Sequence, residues 1–295
     1  MELRRRDILK GGLLLTTLGL AGRGWAGGPE LTVLSDGFLT LPPAFLYGPL
    51  SEEEVAAAIA ESGFPVDPLT PPCNVTLLRE AGRTVLFDAG AGPEFLPSTG
   101  DLPGALEAAG IAPDEVTDIV LTHAHPDHLW GVLDDFGDPA FPEAVIHISA
   151  TEHAYWSDPG TVETIGEARQ SFAVGAARRL SDVADQLRVF EDDAEVLPGI
   201  TALPTPGHTP GHTSFAVGGG ETVIVGDAIA NAHIAMVRPG VETANDQDPA
   251  RAAATRPEFL ARLAQPTTRA IGFHWPAGGI GRVTQDGDGY RFLPE

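Results

Sequence analysis

The chain has one cysteine, Cys73, and one lysine, Lys10, in 295 residues. A lone cysteine excludes an intrachain disulfide and any cluster of thiolate ligands. A lone lysine near the start leaves the rest of the chain without Schiff-base or phosphate-loop lysine chemistry. Positive charge is scarce overall: 18 Lys and Arg stand against 41 Asp and Glu, a formal charge of −23. A surface this acidic repels phosphate backbones, so nucleic acid is not an expected substrate. Aromatics make up only 7% of the chain. No apolar run is long enough to read as a confident membrane-spanning helix.

What is present begins with a segment that reads as a signal rather than as structure. Residues 1–26 hold five basic side chains (Arg4, Arg5, Arg6, Lys10 and Arg23), a short apolar run from Gly11 to Ala21, and a small-x-small site at Gly24-Trp25-Ala26. Arg5-Arg6-Asp7-Ile8-Leu9-Lys10 looks like a twin-arginine export signal, with Arg4 where Ser or Thr is more usual. The twin-arginine translocase is therefore an expected partner, and a periplasmic or secreted bacterial-type location the expected address. No membrane span is expected once the signal is removed. Residues 27–295 are expected to form a single domain with a substantial core.

The centre of that region is residues 118–128. Residues 119–121 are apolar and of strand type, and they deliver His123, His125, Asp127 and His128 within a few positions. Alternate residues on an extended chain face the same way, so His123 and His125 can meet one cation. Asp127 and His128 follow in a turn opened by Pro126 and can face a second. Imidazole and carboxylate are the donors that a borderline cation such as zinc accepts. Later in the chain, three further strand-like runs end in a potential ligand: His208, Asp227 and His274. Asp88, at the end of another strand, either holds the histidine loop by hydrogen bonds or is a plain turn residue; the sequence leaves both open.

Around these positions the pattern predicts strands at 31–34, 74–78, 84–87, 144–148, 200–203, 214–217, 222–225 and 269–273, with a closing hairpin at 282–284 and 290–292. Ser51 and Glu54 form a capping box for an alanine-rich helix to about Ser62, and a second clear helix covers residues 249–263. Residues 163–187 read as one or two helices. Phe38, Phe45, Leu46, Tyr47 and Phe64 give the region before Cys73 more apolar surface than a solvent loop needs. They either pack on the core or line a pocket.

His123-x-His125-x-Asp127-His128 with His208, Asp227 and His274 resembles the metallo-β-lactamase superfamily, over the chain from about Leu31 to its end. Leu34-Ser35-Asp36-Gly37 and Phe273-His274-Trp275-Pro276 look closest to its methyl parathion hydrolase-like branch, near the quorum-quenching lactonases. The resemblance implies an α+β fold, a four-layer αββα sandwich of two mixed sheets with outer helices and metals at one edge. It implies two divalent metal ions, zinc first and manganese, iron or cobalt as alternatives. His123, His125 and His208 would hold one ion; Asp127, His128 and His274 the other; Asp227 would bridge. A hydroxide activated between the metals would attack a small ester-like substrate (lactone, carboxylic ester or organophosphate), with Asp127 orienting it. His212 is taken as structural, because in the family the first histidine of the Gly-His-Thr-x-Gly-His run is the ligand. His147 and His153 are taken as outside the site, His233 as either pocket or core, and Trp130 and Trp275 as core aromatics or pocket wall.

Alternatives within the family are a thioester- or persulfide-processing enzyme, whose only support is the Arg178-Arg179 pair, and a non-catalytic metal-binding protein, which would lack ligands. Flavodiiron reductases carry Glu where this chain has His125. True β-lactamases bridge with Cys where it has Asp227.

Overall fold

The computed structural model describes residues 30–64, 69–80 and 82–295. The expected export signal lies outside the described residues. Strands β1 (Glu30–Phe38), β2 (Pro72–Glu80), β3 (Arg83–Phe87), β4 (Asp118–Val120), β5 (Val145–Ser149) and β6 (Leu187–Phe190) lie side by side in sequence order as one sheet. β1 to β3 pair antiparallel, and β3 to β6 run parallel. Parallel neighbours need crossovers. Here these carry the helices Leu102–Ala108, Ala150–Ser157 and Gln170–Asp182.

The second sheet holds β7 (Glu195–Leu197), β8 (Ile200–Pro204), β9 (Thr213–Val217), β10 (Thr222–Ile224), β11 (Arg269–Ile271), β12 (Ile280–Asp286) and β13 (Gly289–Pro294), again in chain order. All its pairings are antiparallel except β10 with β11, whose crossover contains the helix Pro249–Leu263. Both sheets are thus mixed.

Period-two alternation decides which face each strand buries. Val85 and Phe87 of β3 and Val120 of β4 point at Ile200, Phe215, Ile224 and Ile271, closing the two sheets face to face. The intervening Leu86 and Ile119 point outward and are covered by Leu106, Trp156, Ala176 and Leu180 from the helices. On the far side, Val223, Ala270 and Val283 are covered by Phe259, Leu260 and Leu263 of the helix Pro249–Leu263. Each such large apolar side chain contributes ~1.5–3 kcal/mol when fully buried. The result is helix, sheet, sheet, helix, the four-layer arrangement expected from the sequence.

Two strands were not expected. β6 and β7 are sheet edges, mostly exposed or half-buried. An edge strand with little buried face need not alternate, so its sequence carries no period-two signal. The capping box is present as read: Glu54 N donates to Ser51 Oγ at 3.3 Å, and Ser51 N donates to Glu54 Oε2 at 2.8 Å. Among the described residues no helix is long and apolar enough to cross a membrane.

Candidate metal centre

The chemistry-bearing residues sit at the strand ends that share one edge of the sandwich. β4 ends at Val120, and the chain crosses to His125, which caps the short helix Pro126–Leu129. Proline suits a first helical position, where its missing N–H is not needed and its φ is already helical. That abrupt turn sends Asp127 and His128 away from the direction of His123 and His125.

All seven expected residues come together, and each is at most 6% exposed. His123 Nε2 lies 3.0 Å from His125 Nδ1, which lies 2.9 Å from His208 Nε2. On the other side, His274 Nε2 lies 3.1 Å from Asp127 Oδ2, and His128 Nε2 lies 3.5 Å from the same oxygen. Asp227 stands between the groups. Its Oδ2 is 3.3 Å from both His208 Nε2 and His274 Nε2, and its Oδ1 is 3.5 Å from His128 Nε2.

Three unpaired atoms test whether a cation fits. Asp127 Oδ2, His128 Nε2 and Asp227 Oδ1 are buried without a hydrogen-bond partner, although buried polar atoms are almost always bonded. Imidazole nitrogens and carboxylate oxygens that converge unbonded form the donor set divalent cations accept. Burial, with His128 and the other imidazoles adding to it, pushes His123 well below the ordinary histidine value; His125 moves the same way through burial and His208. Both rings are therefore neutral and offer lone pairs. Burial opposes ionisation of Asp127 and Asp227, yet neighbouring His128 and His274 hold both carboxyls below the usual carboxylate range. The residues fit divalent ions.

The outward ring nitrogens are held in turn. His128 Nδ1 meets Asp88 Oδ2 at 2.8 Å, and Asp88 also accepts from Thr122 N at 2.7 Å. Asp88 adopts a φ of +68°, a region that aspartate tolerates better than bulkier residues. It supports the histidine loop, which settles the alternative the sequence left open. His274 Nδ1 meets Pro72 O at 2.8 Å, and Asn74 N donates to Phe273 O at 2.9 Å, so β2 of the first sheet steadies a loop of the second. His208 Nδ1 meets Asp246 Oδ1 at 3.1 Å, and Asp246 accepts from Arg256 Nη1 at 2.6 Å.

His212 is fully engaged beneath the site. Its Nε2 accepts from the backbone N–H of Asp227 at 2.9 Å, and its Nδ1 faces Thr205 Oγ1 at 2.8 Å. Gly226, with φ +56°, makes this approach possible: a Cβ there would come within 2.8 Å of His212 Nε2.

Sequence reasoning missed Glu152. This carboxylate is 1% exposed and joins the two histidine loops. Its Oε1 accepts from Ala124 N at 2.9 Å and Trp156 Nε1 at 2.6 Å; its Oε2 accepts from Thr209 Oγ1 at 2.7 Å and Gly211 N at 2.9 Å. Burial raises its pKa against those four bonds. A lone glutamate in a helix carries no sequence signal for such a role. Asp246, Gln247 and Cys73 were also missed as neighbours. Gln247 Nε2 lies 2.9 Å from His125 Nε2, and the ligand atoms of Cys73, Asp127 and His274 lie within 4.8 Å of one another.

Other candidates fall away from the centre. His147 pairs with Asp118 at 2.9 Å, and His233 packs its ring against Phe64. Trp275 is buried and donates to Ile229 O at 2.8 Å; Trp130 stacks under Arg179, 4.1 Å from its guanidinium. Arg179 donates to Glu94 at 2.6 Å, and Arg178 lies 3.3 Å from the same carboxylate, so that pair is already neutralised. A cavity of about 80 Å³ opens onto His125, Asp127, His208, Asp227 and His274. Of the early apolar residues, Phe45 and Leu46 line it, with Leu39, Phe95 and Phe172.

A sandwich of two mixed sheets with a histidine and aspartate centre at one edge defines a class of metal-dependent proteins. The profile of the metallo-beta-lactamase superfamily matches residues 70–274. The chain belongs to that superfamily, whose fold implies divalent metal ions, often zinc. It is 32% identical over 157 residues to the uncharacterized protein YobT of Bacillus subtilis (strain 168), covering 53% of this chain and 62% of that one. It is 29% identical over 192 residues to the probable metallo-hydrolase Rv2300c of Mycobacterium tuberculosis (strain ATCC 25618 / H37Rv), covering 61% of this chain and 55% of that one. The chain thus spans less than two thirds of the length of these relatives. Two solved structures superpose with a TM-score of 0.82 at 26% identity. The hydrolase AbOPH covers 92% of this chain and 96% of its own. AidC, a dizinc quorum-quenching lactonase in complex with the product N-hexnoyl-L-homoserine, covers 90% and 94%.

Proposed function

We propose that the chain is a dinuclear metallohydrolase acting on a small ester-like substrate: a lactone, carboxylic ester or organophosphate. The observation that carries this reading is Asp227, whose two oxygens face His208 on one side and His128 and His274 on the other. His123, His125 and His208 would hold one ion, and Asp127, His128 and His274 the other, with Asp227 shared. Two divalent ions, zinc first, would supply Lewis acidity and lower the pKa of water toward ~7. The protein's own part is positioning. Asp127, which lines the cavity, would also orient the attacking water by accepting a hydrogen bond from it. Leu39, Phe45, Phe95 and Phe172 take up the apolar part of the substrate and exclude bulk water. Lactonase chemistry in AidC and in the N-acyl homoserine lactonase AiiB of Agrobacterium fabrum (strain C58 / ATCC 33970), 27% identical over 172 residues, supports this substrate class.

The test combines elemental analysis with a panel of lactones, p-nitrophenyl esters, phosphotriesters and thioesters. Two ions per chain and turnover of an oxygen ester are expected. One ion or none after reconstitution, or turnover confined to thioesters, overturns the reading. For residues 1–26 the reading is export by the twin-arginine route to the periplasm. Arg5→Lys with Arg6→Lys should then leave folded, active protein in the cytoplasm on fractionation; undiminished export would reject it.

A further inference from the structure

Arg169 ends the short turn Glu167–Arg169 and lines the cavity beside His125 and His208. Its guanidinium lies over the Phe45 ring, 5.1 Å from the centroid, and Nη2 donates to Ala244 O. Its Nε is buried without a hydrogen-bond partner. The other half-buried or buried arginines among the described residues (Arg83, Arg179, Arg238, Arg256, Arg269 and Arg291) each have a carboxylate within 4.0 Å. Arg169 has none among the described residues, in a chain with more than twice as many acids as bases. The nearby Asp246, which acts on it electrostatically, is already bonded to Arg256 and His208.

An arginine stays charged, and a charge in an apolar cavity wall is costly until an anion meets it. Of the other lining residues, Leu39, Leu41, Phe95 and Phe172 offer it no anion, Asn245 Oδ1 accepts from Thr243 instead, and Asp127 and Asp227 face the histidines. We propose that Arg169 is an anion-binding group of the substrate pocket, so that the preferred substrate is an ester with a carboxylate or comparable oxyanion a few bonds from the scissile carbonyl. This rests on the hydrolase reading of the same site. The substrate's oxyanion would complete the guanidinium's bonding, while the apolar walls hold the methylenes between that group and the ester. Arg169 acts here on binding and specificity, not on the bond being broken.

The test uses metal-loaded protein and two esters of matched length, p-nitrophenyl hydrogen glutarate and p-nitrophenyl pentanoate. A charge-assisted hydrogen bond of ordinary strength is worth ~10–100-fold. Wild type should therefore favour the anionic ester by that ratio in kcat/KM. Arg169→Met should abolish the preference, mainly through the KM of the anionic ester, so that the two esters differ by less than about twofold; Arg169→Lys, which keeps the charge, should restore part of it. Equal losses on both esters, or a preference that survives in Arg169→Met, overturns the proposal. Calorimetric binding of the amides glutaramate and pentanamide, which differ by one carboxylate, reads the subsite without turnover: glutaramate should bind ~10–100-fold tighter to wild type and lose that margin in Arg169→Met. If neither ester is cleaved, this binding comparison still decides the role of Arg169, while the wider substrate panel decides the hydrolase reading.

Discussion

The two halves of the sandwich supply the centre in different ways. Behind the first sheet, one loop after β4 carries His123, His125, Asp127 and His128. The second sheet contributes His208, Asp227 and His274 from three separate strand ends. The first loop gets its shape from local geometry: strand alternation, then Pro126. Each residue of the second half stands on a different distant support: Asp246 with Arg256 under His208, His212 under Asp227, and Pro72 with Asn74 around His274. The first half therefore carries its four residues on one loop steadied by Asp88, and the second is assembled only when the whole fold closes. Glu152 joins them, bonding Ala124 on one side and Thr209 and Gly211 on the other.

The comparison can be broken most sharply at Asp227, the one residue that faces both groups. Asp227→Asn keeps the shape and removes the charge that would screen two dications from each other. One ion should remain on the three histidines, and kcat should fall ~10²–10⁴-fold. Two ions with near-normal turnover in this variant would reject the shared role. His212→Ala is the control for mere support: it strands the backbone N–H of Asp227 at a cost of ~1–3 kcal/mol. It should keep two ions and hold activity within about tenfold.

Next in size is the joint between the halves. Glu152→Ala strips the acceptor from four buried donors and should cost ~3–5 kcal/mol. At ~2–4 °C per kcal/mol for a chain of this size, thermal unfolding shows it readily. Glu152→Gln keeps an acceptor oxygen and should lose less than half as much. An unchanged midpoint in Glu152→Ala would mean that the loops are held without this joint.

The smallest expected effect lies in the first half, at Asp36. Burial lifts its carboxyl to about 6, against the N–H groups of Ala91 and Leu102 that bond it at 2.7 and 2.8 Å. The folded carboxyl then keeps its proton where an unfolded one, near ~3.9, loses it. Its stabilising contribution is full below that unfolded value, declines as pH rises toward about 6, and is flat above. Urea midpoints of wild type and Asp36→Asn across this window should converge as pH rises; a constant difference would remove Asp36 as the source.

Much of this was legible before any coordinates. Runs such as 84–87 alternate because one face of β3 meets the other sheet and the other meets helices, and that alternation is written in residue types. The edge strands β6 and β7 escaped because they bury little. The ligand loops were visible because each ends a strand, and strand ends must lie at a sheet edge.

The sequence by itself determined the interior strands, the four-residue cluster and the donor types, since each follows from spacing and side-chain chemistry along a few consecutive residues. Only the tertiary structure decided that Asp227 faces both groups, that Asp88 supports His128 rather than merely turning the chain, and that Glu152 and Arg169 belong to the site at all. Those roles depend on groups that lie far apart in the chain, as in Asp227 with His128 or Ala124 with Glu152. Separations of that size are set by how two sheets pack, and no local pattern of residues encodes them.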